Sequence, residues 1–82
     1  MNQTGGTQLD AVGTIVHDPD ALRDMIRESG ITKTHLANNL GINQTTLDAK
    51  ISGRNDFWWH EAVMLKNILR MTDDEFKKIF GW

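Results

Sequence analysis

Eighty-two residues, no cysteine and a net charge of −2 bound what this chain can be. A chain this short makes one domain, near the lower size at which packing alone sustains a fold, and the lack of thiols excludes disulfides and thiolate metal sites. No stretch approaches the ~20 apolar residues that span a bilayer, and the opening MNQTGGTQLD lacks the charge and apolar run of a signal peptide, so a soluble cytoplasmic protein is expected.

Residues 1–17 are rich in Gly, Thr and Gln without helical period and read as a flexible N-terminal arm. A strand over Val12–Val16 is the lesser alternative, since no partner strand is visible later. The folded domain is expected over 18–82. It opens with Asp18 as N-cap and Pro19 in the first turn of a helix that buries Leu22, Met25 and Ile26 and stops at Gly30. Thr32 caps a second helix running to about Leu40, with Leu36, Ala37 and Leu40 inward and Gly41 as its stop. Asn43 caps a third, Gln44 to Ser52, with Leu47 and Ile51 inward. Asp56 caps a fourth, Phe57 to Arg70, whose Ala62, Val63, Leu65, Ile68 and Leu69 cover a broad apolar face. Thr72 and Glu75 have the spacing of a capping box, and the helix they open buries Phe76, Ile79 and Phe80. The fold class that follows is all-α: a compact bundle of about five short helices and no sheet.

The second and third helices carry the most specific spacing. Ala37 is small where two helices must approach, Gly41 permits the left-handed turn, and Leu47 folds back to lock the pair. Small, glycine, apolar at offsets 0, +4 and +10 is the pattern of a helix-turn-helix. Charge falls in the same place. Residues 31–55 hold Lys33, Lys50 and Arg54 against Asp48, whereas both flanking segments are net acidic.

The stretch ITKTHLANNLGINQTTLDAKISG resembles the helix-turn-helix of the phage repressor and Cro superfamily, and the following F…EAVMLKNILRMTDDEFKKIF resembles small Cro-like proteins of Gram-positive phages and prophages. The resemblance covers residues 19–81 and departs from the family at Asn38 and Asn39, where charged helix formers are usual, and at Asp48 and Ala49, where polar or basic residues are frequent. It implies a lambda-repressor-like fold and a sequence-specific, double-stranded DNA-binding transcriptional regulator of the bacterial cytoplasm that inserts helix 44–52 into the major groove of an operator.

With Leu47 and Ile51 inward at 100° per residue, Thr45, Asp48, Ala49 and Ser52 face outward, and Gln44 lies in the leading turn. Glutamine pairs with adenine, aspartate accepts from cytosine N4, and Thr or Ala methyls meet the thymine methyl. The resemblance points to the same positions, Gln44, Thr45, Asp48 and Ala49, as base readers. Phosphate contacts are expected from Lys33, Lys50, Arg54 and Asn55. The plainer reading is an ordinary solvated helix face.

FWWHEAV places three large aromatics in a row; Phe57 is expected as a plug over the third helix, and at least one of Trp58 and Trp59 exposed. His60-Glu61 fails as a zinc motif because residue 64 is Met, and His17, His35 and His60 lack ligand spacing. No metal, cofactor, small-molecule ligand, membrane partner or enzymatic activity is expected. Any homodimer should be weak, through the fourth and fifth helices. The alternative function is a protein-interaction module on the same fold, antirepressor- or antitoxin-like, with little specific DNA binding.

Overall fold

Each helix of the computed structural model, which describes residues 13–81, begins where a short polar side chain can satisfy its free N–H groups, with one exception. The Asp18 carboxylate accepts from the N–H groups of Asp20 and Ala21, opening α1 (Pro19–Ser29). Thr32 accepts from His35 N–H at the start of α2 (Lys33–Leu40), and Asn43 from Thr46 N–H at the start of α3 (Gln44–Ile51). The exception is α4 (Trp59–Ile68). Before α5 (Asp73–Phe80), Thr72 and Glu75 exchange the two bonds of a capping box. The chain is thus mostly helical, with five helices among the described residues.

The fourth helix starts two residues later than expected, and Asp56 is not its cap. Phe57 and Trp58 instead form β2, paired antiparallel with β1 (Thr14–Ile15), Ile15 opposite Phe57 and Thr14 opposite Trp58. A strand sends successive side chains to opposite faces, so Phe57 is fully buried while its neighbour Trp58 remains 46 % exposed. Trp59 N–H then donates to Gly13 O, closing the ribbon onto α4.

The flexible arm expected over residues 1–17 therefore does not reach 17; its first twelve residues lie outside the described ones, as does Trp82. Beyond β1 the chain continues the alternation, Val16 out and His17 in. The buried His17 Nε2 lies 2.9 Å from the carbonyl of Ile51, which a helix end leaves without an intrahelical donor. A carbonyl only accepts, so Nε2 carries the proton. The ring packs edge-on to Phe57 and tilted against Phe80, with centroids 5.1 and 5.8 Å away.

Leu22, Leu36, Leu47, Phe57 and Leu65, one from each of α1 to α4 and one from β2, are the largest fully buried side chains, and Phe76, Ile79 and Phe80 close the core from α5 as expected. Asp18 N–H donates to Ile79 O at 2.7 Å, joining the beginning of α1 to the end of α5. Val63, expected inward, is exposed and Ile68 is only half-buried, so the apolar face of α4 is narrower than its composition implied; Leu40, at the end of α2, is likewise half-buried. Lys66 and Asp73 pair at 3.0 Å between α4 and α5; the hydrogen bond from Lys66 and its charge hold the Asp73 carboxyl below its usual pKa.

α4 also stops short of Arg70. Met71 N–H returns to Lys66 O, and Arg70 takes φ +54°, the left-handed conformation usually given to glycine at this position. Arg70→Gly should therefore raise the unfolding free energy by roughly 0.5–1 kcal/mol in urea denaturation. Phe57→Ala, which removes the ring sealing the ribbon to the core, should lower it by about 3–5 kcal/mol.

Candidate nucleic-acid interface

α2 and α3 are joined by a turn that one residue makes feasible. Gly41 sits at φ +72°, and Ile42 N–H reaches back to Ala37 O at 3.1 Å, the closing bond of a Schellman turn. An added Cβ at Gly41 would meet nothing within 4 Å, so the demand on this position is conformational and not one of space. Ala37, Leu47 and Ile51 are buried at the junction of the two helices, as their spacing required. The opposite face of α3 is thereby turned outward.

The expected base readers divide by what they already touch. Gln44 and Thr45 stand exposed in the first turn, and Thr34 Oγ1 donates to Gln44 Oε1 at 3.2 Å across the two helices. That bond orients the Gln44 amide and leaves its NH₂ group directed elsewhere. Thr34 was not among the expected site residues, although its place in the first turn of α2, beside that of α3, is where such a partner belongs. Asp48 and Ala49 are half-buried along the middle of α3. Ser52 has turned its hydroxyl onto Ala49 O, at 3.0 Å, which commits its donor to the backbone.

The cations divide more sharply. Lys33 lies 3.1 Å from Asp48, joining an expected phosphate contact to an expected base reader, with both side chains about half exposed. Such surface pairs contribute about 0–1 kcal/mol and open readily when a polyanion approaches. Arg54 and Asn55 are exposed in the loop after α3, where Asn55 N–H bonds to Ala49 O; Arg54 has no ion pair among the described residues.

Lys50 is the correction. It is buried, and its ammonium lies 2.6 Å from Glu61 Oε1 inside the fold, so it does not face a phosphate. Its position on the helix explains this. Residue 50 is one step from Ile51 and three from Leu47, on the margin of the inward stripe. Its carboxylate partner is doubly occupied, because Glu61 Oε1 also accepts from Trp58 N–H at 2.9 Å. Glu61 thus performs from inside the first turn of α4 the capping expected of Asp56, and it does so while neutralising a charge from α3.

Trp58 and Trp59 diverge. Trp58 faces solvent, and Trp59 stacks edge-on against Phe76 with centroids 6.2 Å apart. No group of three metal-ligating side chains converges among the described residues, and none of their helices is long and apolar enough to cross a membrane. Comparison with known proteins adds no relative: no family model matches the chain, nor does any curated protein or solved structure.

The buried pair makes a two-step test. Lys50→Met strands the Glu61 carboxylate and should cost about 3–5 kcal/mol in chemical denaturation. Adding Glu61→Gln, which keeps an acceptor for Trp58 N–H and removes the stranded charge, should recover most of that loss.

Proposed function

We propose that the protein is a sequence-specific, double-stranded DNA-binding transcriptional regulator of the Cro or repressor kind, phage- or prophage-derived, acting in the bacterial cytoplasm. The observation that carries this reading is the exposed leading turn of α3. Gln44 and Thr45 project beyond the bundle, while Leu47 and Ile51 seat the same helix on α2 through the Gly41 turn. A helix held by one face and free along the other is what a major groove admits.

In this reading α3 enters the groove N-terminus first. The Gln44 amide, oriented by Thr34, pairs with adenine; Thr45 and Ala49 offer methyl groups to thymine; Asp48 accepts from cytosine N4 once Lys33 exchanges it for a phosphate. Ser52, with its hydroxyl on the backbone, and Lys50, inside the fold, leave the interface. Lys33, Arg54 and Asn55 remain as phosphate contacts, helped by the N–H groups opening α2. Two-fold binding at half-sites about 34 Å apart is the expected geometry. Lys33 and Arg54 by themselves, two cations per subunit, would give a dimer a salt slope of about −3.6, shallow for a repressor.

A second reading, a protein-interaction module, is favoured by two exposed large apolar side chains, Trp58 at the end of β2 and Val63 of α4. Selection from a random DNA pool at two salt concentrations separates the two. A reproducible half-site supports the regulator, and its absence together with loss of biological activity in Trp58→Ala supports the module. On the selected site, Gln44→Ala should relax preference at one base pair at a cost of about 1–3 kcal/mol; uniform weakening on all sequences would refute the base-reading role of Gln44.

A further inference from the structure

α1 carries two rows of charge that separate onto different grooves. Asp24 and Glu28, one turn apart, line a groove against α5 together with Glu75 and Lys78. Arg23 and Arg27, also one turn apart, line another groove of about 200 Å³ with Lys33 of α2, over a floor of Ile26 and Ile51. The second groove brings together three cations from two helices, beside the C-terminal end of α3. None of the three is buried: their side chains are 49 %, 71 % and 49 % exposed. Each has one carboxylate neighbour, Asp20, Asp24 and Asp48 respectively. Two of these pairs lie within α1 itself, at i and i+3. Exposed pairs of this kind yield readily to a competing anion.

We propose that Arg23 and Arg27, with Lys33, form a second phosphate-binding strip, on which the sugar–phosphate backbone of duplex DNA lies as it leaves α3. This rests on the DNA-binding reading and extends it to α1, which the sequence did not suggest. Two arguments commit the groove to this occupant. Its rim is cationic while the adjacent row of the same helix is acidic, so the charge of α1 is sorted by face. It is also continuous with the proposed interface, because Lys33 belongs to both. Arg23 and Arg27 are about 6 Å apart along the helix axis, which sets two guanidinium groups along a strand whose phosphates repeat every ~3.4 Å of axis. With the interior Lys50 unable to serve, these two arginines supply the grip that the loop residue Arg54 and Lys33 alone would leave weak.

The test measures binding of the full chain to a labelled random-sequence duplex by fluorescence anisotropy across a salt series. Arg23→Gln combined with Arg27→Gln should flatten the slope of log K against log salt by about two per bound subunit, so that wild-type affinity falls about tenfold more than the variant's between about 50 and 200 mM salt. Lys77→Gln with Lys78→Gln, an equal change of charge on the exposed face of α5, should alter the slope by less than a quarter of that. Arg23→Lys with Arg27→Lys should retain the wild-type slope, which separates a charge contact from a structural role. If the two glutamine pairs change the slope equally, or the Arg23/Arg27 pair leaves it unchanged while wild type binds, the strip is refuted and the DNA-binding reading stands. If wild type binds neither the random duplex nor a selected half-site at the lowest salt, both are refuted.

Discussion

One carboxylate oxygen, Oε1 of Glu61, accepts from the ammonium of Lys50 and from the N–H of Trp58. The first bond fixes α3 to α4; the second ends β2 and starts α4. Lys50 and Glu61 are both almost entirely removed from water, where an unpaired charge is costly and a paired one is held firmly. The position of α3, the start of α4 and the strand that precedes it are consequently one arrangement. Moving any of them opens a charge inside the fold.

That arrangement bears on function through what it removes. A helix with one lysine has placed that lysine in the interior, and the outward face is left with Gln44, Thr45, Asp48 and Ala49. Asp48 is itself balanced by Lys33. The face is therefore nearly neutral, and its capacity to discriminate bases comes from hydrogen-bond geometry and methyl contacts more than from attraction. Positive charge is displaced to the margins: the Arg54 loop on one side, and the Lys33 and α1 groove on the other. Under the DNA-binding reading, recognition and grip reside on different elements, and weak non-specific binding follows from the acidity elsewhere.

The ribbon of β1 and β2 serves the same end. It is two residues per strand, too short to be stable alone, and it depends on Phe57 beneath it and on His17 beyond it. His17 meets the carbonyl of Ile51 at the end of α3, so the chain before α1 also steadies the helix that faces outward. Glycine and threonine near the N-terminus suggested an arm. Their composition is compatible with a strand once a partner edge is supplied by residues more than forty positions away, and composition does not reveal that partner.

What was legible in the sequence was local. Asp18, Thr32, Asn43 and Thr72 cap helices where they were expected, since a side-chain oxygen reaches an N–H only two or three residues away. Gly30 and Gly41 end helices because glycine takes the left-handed turn without strain, and the periodic Leu and Ile positions around them found the core. The sequence thus determined five helices, the α2–α3 turn and the exposed first turn of α3. Tertiary structure alone decided which charges meet and where the aromatic run FWW bends. Lys50 and Glu61, Lys33 and Asp48, and Arg23 with Lys33 are neighbours only after the helices pack. Phe57 is a strand residue because burial and a distant edge outweighed the helix start that its surroundings offered.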